Sequence, residues 1–129
     1  MKLEYPKVTV VTPSYNQGQF IEATIKSVIG QQYPNLEYLV CDGGSTDETV
    51  KILKKYTDKI TWWCSEKDKG QSDAINKGMC RATGDIVCWI NSDDVLLPGT
   101  LHTVAKFYHD HPDTDFANGY TVEIDKEGK

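Results

Sequence analysis

The stretch DIVCWINSDD, residues 85–94, holds five apolar residues in a row, Ile86 to Ile90, and then breaks into Asn91, Ser92, Asp93 and Asp94. A short run rich in β-branched and aromatic side chains, bounded by Gly84 and a polar cluster, reads as a strand. Because the run does not alternate with polar residues, it reads as covered on both faces, the mark of a central strand in a parallel sheet. Two adjacent aspartates repel each other, so a strand that ends in them is carrying charge to an edge of the sheet.

The same alternation of elements extends to both sides. KVTVVTP (7–13) and LEYLVCD (36–42) are strand-like, and KITWWCS (59–65) is a third such segment. Between them, Phe20, Ile21, Ile25, Val28 and Ile29 recur at helical spacing, as do Val50, Leu53 and Tyr56. STDE (45–48) has the form of a capping box in which Ser45 and Glu48 exchange hydrogen bonds with backbone amides. A helix is predicted over about 72–82, ended by Thr83-Gly84, and another from Pro98 to His111-Pro112. DFANGYTVEID (115–125) reads as a last strand with no helix after it. Strand–helix alternation of this kind implies an α/β fold with a parallel sheet and right-handed crossovers.

The 129 residues suit one domain, 1–129. A net charge of −5 and a pI of about 5.1 argue against nucleic acid as a partner, since phosphate backbones select basic surfaces. No apolar segment reaches membrane-spanning length, and the polar start MKLEYPK leads to the expectation of no signal peptide. The reading therefore places the chain in the cytoplasm, with the cytoplasmic face of the membrane as an alternative. Cys41, Cys64, Cys80 and Cys88 form no CxxC pair and are read as reduced. Trp62, Trp63 and Trp89 are expected in the core, and His102, His109 and His111 on the surface.

In open α/β sheets ligands bind beyond the carboxyl ends of the strands. TPSYN (12–16), DGGSTD (42–47), DKGQSD (68–73) and NSDD (91–94) all fall there. Carboxylates at such an edge repel an anionic ligand unless a divalent cation lies between, and Mg²⁺ or Mn²⁺ commonly binds one or two carboxylates plus phosphate oxygens. Neighbouring side chains diverge on extended backbone, so Asp93 and Asp94 need not share one ion. The plainer reading of the pair is a turn before the next helix. Tyr15 likewise fits either a half-buried aromatic or a stacking platform. No GxxxxGK[ST], GxGxxG or GxSxG motif is present.

Taken in order, VVTPSYN, VCDGGSTDET, DKGQSDAINKG, ATGDIVCWINSDD and LLPGTL closely resemble the nucleotide-binding half of family 2 glycosyltransferases, over about residues 7–120. The resemblance implies a Rossmann-like three-layer sandwich of the A-type glycosyltransferase fold, with a mostly parallel sheet. It also implies sugar transfer from a nucleotide-diphosphate sugar, UDP-sugars favoured, with inversion. By the same resemblance Pro13 and Tyr15 look like base-side contacts, and Asp42 like the carboxylate that meets the base. Asp93 would lie near the ribose, and Asp94, with Asp93 beside it, would hold Mn²⁺ or Mg²⁺. Thr12, Gly70, Asp73, Asn76 and Ser92 lie in the same motifs and complete the expected nucleotide-binding set.

Three positions depart from the family pattern. Gly43 stands where many members have a second aspartate, Ile75 where many have arginine, and Asn91 where aspartate is common. Either a phosphate-side cation is missing, or Lys69 or Lys77 substitutes for it. The general base of such enzymes belongs to an acceptor-binding half expected beyond Lys129, so no catalytic residue is assigned here. Asp115 and Asp125 match no motif. A non-catalytic nucleotide-binding or assembly module is the alternative reading. A nucleotidyltransferase is a weaker one, for want of a glycine-rich basic loop after the first strand. A homodimer through an uncovered sheet edge or acceptor-side surface is expected.

Overall fold

The computed structural model describes residues 5–117, 119 and 122–128. Eight elements alternate: β1 (Val8–Ser14), α1 (Ile21–Ile29), β2 (Leu36–Asp42), α2 (Thr49–Lys55), β3 (Trp62–Ser65), α3 (Gln71–Arg81), β4 (Ile86–Trp89) and α4 (Thr100–Asp110). The strands form one sheet in the order β3-β2-β1-β4, and every pairing is parallel.

Register explains the layers. Side chains alternate along a strand, so Val8 and Val10 share a face with Tyr38, Val40, Ile86 and Cys88. That face meets Ile21, Ile25 and Val28 of α1, Leu53 of α2, and Leu101 and Ala105 of α4 in one apolar core. The opposite face carries Thr9, Val11, Glu37 and Leu39, and α3 lies over it. Contact there is close because Gly78 has no side chain: a Cβ at that position would come within 2.4 Å of Val11 Cγ1. All seven residues of β1 are buried, as expected of the strand at the middle of the stack.

β4 differs from its sequence reading. It is an edge strand among the described residues, and only one of its faces is covered. Ile86 is in the core, whereas Val87 is 41% and Trp89 54% exposed. The reason is geometric: α3 packs on β1 and β2 and does not extend over β4. Trp89 is therefore not a core residue. Trp62 and Trp63 are half-buried, the former under the Arg81 guanidinium at 3.9 Å. His102 is partly enclosed between Tyr5 and Tyr33, while His109 and His111 are exposed.

The capping box does not form. The Ser45 hydroxyl donates to Asp42 Oδ1 and accepts from the Asn16 amide, so it is committed elsewhere. Asp47 instead bonds the first residue of α2, its Oδ1 accepting from the Thr49 amide at 3.0 Å and from the Thr49 hydroxyl. No strand occurs among the described residues of 115–125; Asn118, Tyr120 and Thr121, within that expected strand, lie outside the described residues. No helix among the described residues is long and apolar enough to cross a membrane.

At the end of the sheet opposite the strand carboxyl termini, buried Glu37 ties three segments together. Oε1 accepts from Thr9 Oγ1 at 2.7 Å and the Thr83 amide at 2.8 Å; Oε2 accepts from Thr83 Oγ1 at 2.8 Å and lies 3.5 Å from Lys7 Nζ. Burial alone would raise its pKa, but these hydrogen bonds and Lys7 outweigh burial and hold it at about 2. A folded-state pKa below the ordinary 4.5 contributes stability above pH 4.5 that is lost as pH falls toward 2. Glu37→Gln is expected to cost about 1–3 kcal/mol at pH 7 by leaving buried donors poorly matched. It should also flatten the loss of stability between pH 4.5 and 2, as urea melts at pH 7 and 3 would show.

Candidate functional site

The carboxyl ends of the strands open into a cleft of about 720 Å³. Pro13, Ser14 and Tyr15 reach it from the end of β1, Gly43 and Gly44 from the end of β2, and Asn91, Ser92 and Asp93 from the end of β4. Lys67, Asp68 and Gly70 enter from the loop after β3, and Gln71 and Ala74 from the first turns of α3. The amino terminus of α3 thus faces the cleft, with a backbone dipole that favours negative charge. The Gln71 side-chain amide donates to Asn91 Oδ1, linking α3 to the end of β4.

Asp42 organises this rim. It is fully buried at the end of β2, paired in register with Ser14 on one side and Ser65 on the other. Oδ2 accepts from the amides of Gly44 (3.1 Å) and Ser45 (2.8 Å) and from Ser65 Oγ (2.7 Å), while Oδ1 accepts from Ser45 Oγ (2.6 Å). Ser45 in turn accepts the Asn16 amide at 2.7 Å, and Asn16 Oδ1 accepts the Thr46 amide at 2.9 Å. Asn16 holds a φ of 50°, a left-handed conformation that asparagine tolerates better than most residues. The Asp47 carboxylate accepts from Gly18 at 2.9 Å. Burial works against its charge, yet bonds from Thr49 and Gly18 hold its pKa below the usual carboxylate range. The loops after β1 and β2 are therefore stitched into one unit.

The expected site residues divide into two groups. Pro13, Tyr15, Gly70, Ser92 and Asp93 line the cleft, with Tyr15 59% exposed. Thr12 and Asp42 stand behind its wall. Thr12 is fully buried with its hydroxyl 2.9 Å from Tyr38 Oη. Asp73 accepts the Lys69 amide at 3.0 Å and Asn76 lies exposed on α3; neither lines the cleft. Asp93 and Asp94 sit on a turn, not on extended backbone, because the Asp94 amide donates back to the Asn91 carbonyl at 3.1 Å. Both are exposed, and Thr24 Oγ1 anchors the Asp94 carbonyl at 2.6 Å. Neither expected lysine lines the cleft: Lys77 is held by Glu66 at 2.7 Å, and it is Lys67, two residues before Lys69, that stands in the cleft wall.

Ser14, Gly43, Asp68 and Gln71 reach the cleft from within the strand-end stretches TPSYN, DGGSTD and DKGQSD, where the sequence assigned them no contact; Lys67 stands just outside those stretches. The Ser14 hydroxyl is buried and takes no partner among the described residues. No group of three or more His, Cys, Asp or Glu side chains among the described residues is arranged to cage a metal. Asp93 and Asp94 are hard oxygen donors, which fits a cation that takes its remaining ligands from phosphate and water.

A family model for glycosyl transferase family 2 matches residues 9–128. The chain belongs to that family. It is 33% identical over 127 residues to the GalNAc(5)-diNAcBac-PP-undecaprenol beta-1,3-glucosyltransferase of Campylobacter jejuni, covering 95% of this chain and 40% of that protein. The putative teichuronic acid biosynthesis glycosyltransferase TuaG of Bacillus subtilis is 34% identical over 120 residues, covering 91% and 48%. Among solved structures, S. aureus TarS 1-349 in complex with UDP-GlcNAc superposes with a TM-score of 0.76 at 28% identity, covering 92% of this chain and 37% of that one. The mannosyltransferase PcManGT of Pyrobaculum calidifontis, in complex with GDP-Man and Mn²⁺, gives 0.74 at 29% identity, covering 81% and 33%. The fold is the A-type glycosyltransferase α/β fold. The chain spans less than half the length of these relatives.

Asp42→Asn replaces two charged acceptor oxygens by one acceptor and one donor, amid four donors. It is expected to cost about 1–3 kcal/mol in denaturant unfolding. It should also hasten proteolysis of the 43–48 loop before global unfolding.

Proposed function

We propose that this chain is the donor-binding part of an inverting, metal-dependent glycosyltransferase that takes its sugar from a nucleoside-diphosphate sugar. One observation carries the reading: a single cleft at the sheet edge holds an exposed aromatic at one strand end and an acidic turn at another. The carboxyl edge is where an open α/β sheet receives a nucleotide. In this reading Tyr15 and Pro13 offer an apolar face to the base. Asp93 stands near the ribose, and Ser92 and Gln71 offer polar contacts between sugar and phosphate. The α3 amino terminus faces the phosphates and lowers the cost of bringing negative charge beside Asp93, and Lys67 adds positive charge to the cleft wall.

Asp93 and Asp94 would hold the divalent cation, which when bound neutralises charge on the departing nucleotide diphosphate. The Thr24–Asp94 hydrogen bond and the Asn91–Asp94 turn bond fix the backbone beneath that pair. Buried Asp42 acts as a positioning residue, shaping the loop that Gly43 and Gly44 present to the cleft. No described residue is assigned as general base; that role, deprotonating an acceptor hydroxyl, is placed in an acceptor-binding part that this chain does not match. The UDP-GlcNAc and GDP-Man bound by TarS and PcManGT support a nucleotide-sugar donor and favour uridine or guanosine.

Isothermal titration with UDP and GDP, with and without Mn²⁺, tests the reading. Binding is expected to strengthen at least tenfold with Mn²⁺ in the parent chain, and Asp94→Ala should abolish that gain. Absence of any metal-dependent nucleotide binding would overturn it. Binding without sugar transfer to any acceptor is the expected behaviour of the isolated 129-residue chain.

A further inference from the structure

We infer that Asp68 is the residue through which this cleft recognises the nucleotide base, its carboxylate accepting a ring N–H such as uracil N3–H or guanine N1–H. The inference rests on the donor-site reading above and specifies its base end.

Three observations lead to it. Asp42, the carboxylate at the end of β2, has both oxygens committed to internal donors and no exposed surface, so it has nothing to offer a ligand. Gly43, the next residue, is buried and has no side chain. A Cβ built there would lie 2.9 Å from both oxygens of Asp68 and 3.1 Å from its Cγ. The Asp68 carboxylate therefore occupies the space over the end of β2 that a side chain at position 43 would fill. Finally, Asp68 lines the cleft and is only half-buried. Its Oδ1 accepts the Gly70 amide at 2.9 Å, and Oδ2 takes no hydrogen bond among the described residues.

Position argues for the base and against the phosphates. Asp68 follows β3 and lies over β2, whereas Asp93 follows β4, and the end of β1 with Pro13 and Tyr15 stands between them. A free carboxylate repels a diphosphate, but beside an aromatic and a proline it suits the polar edge of a stacked ring. An ionised carboxylate is an acceptor only. It matches the N–H of uracil or guanine and opposes the ring-nitrogen lone pair that cytosine or adenine presents at the corresponding position. Sites built on one such hydrogen bond discriminate strongly against a ligand lacking the donor.

The competing role is purely local, with Asp68 shaping the turn into α3 through the Gly70 amide. Asparagine makes that turn equally well, so Asp68→Asn separates the two. Titrations of UDP, GDP and CDP into the 129-residue chain at constant Mn²⁺ form the test. Asp68→Asn is expected to weaken the preferred of UDP and GDP at least tenfold. It should also narrow its preference over CDP, whose N3 can accept from the new amide, with the melting temperature unchanged. Gly43→Ala, which pushes a methyl group into the same carboxylate, should reproduce the loss and add little to it in the double variant. Wild-type affinity and base preference in both variants would overturn the assignment while leaving the donor site intact. A parent chain that binds neither UDP nor GDP would overturn the donor-site reading and this assignment with it.

Discussion

A carboxylate removed from water must find partners or give up its charge, and Asp42 finds four at the point where three strands end. Its bonds run to the loop that follows it, to β3 through Ser65, and through Ser45 to the loop after β1. Parallel strands leave their carboxyl ends as separate loops with no hairpin to join them. The Asp42 network joins them, and the cleft exists because those loops are held in one arrangement. Glu37 does the same at the other end, fastening β1 and β2 to the turn before β4. Each anchor is a buried acid saturated with hydroxyl and amide donors, so a mismatched substitution at either releases several groups at once, and at Glu37 acid does the same.

Between the two anchors the sheet is held by packing. β1 is buried throughout because α1, α2 and α4 close over one face and α3 over the other, the last brought near by Gly78. Coverage stops at β4. Val87 and Trp89 project from the face that α3 leaves open, so the strand that delivers Asp93 and Asp94 is also the least enclosed. That asymmetry suits a site in which the rim at β1 and β2 is rigid and the acidic turn lies at the open side.

The acidic groups of the cleft have separate tasks. Asp42 builds, Asp68 faces the end of β2, and Asp93 and Asp94 occupy a turn beyond β4. Four carboxylates within one region of an acidic chain are compatible because one is buried among donors and the others are divided between two strand ends, Asp68 half-buried after β3 and Asp93 and Asp94 exposed after β4. The α3 amino terminus and Lys67 add favourable potential for an anionic ligand.

The order of elements, the parallel sheet and the edge at which a ligand would sit follow from local sequence: apolar runs of strand length, helical spacing between them, and polar clusters at strand ends. The motifs also named the family, and they placed Pro13, Tyr15, Ser92 and Asp93 in a region where the cleft is found. Tertiary structure alone decided which carboxylate is spent internally and which faces the cleft, because that depends on Ser65 arriving beside Asp42 from 23 residues away, and on Asn16 meeting Ser45 from the loop after β1. It decided that Ser45 serves Asp42 and not a helix end, and that among the described residues the apolar run 86–90 is covered on one face only. A run of apolar side chains records that a strand is hydrophobic; how far a neighbouring helix reaches over it is set by packing at Gly78, at a distance the run itself does not encode.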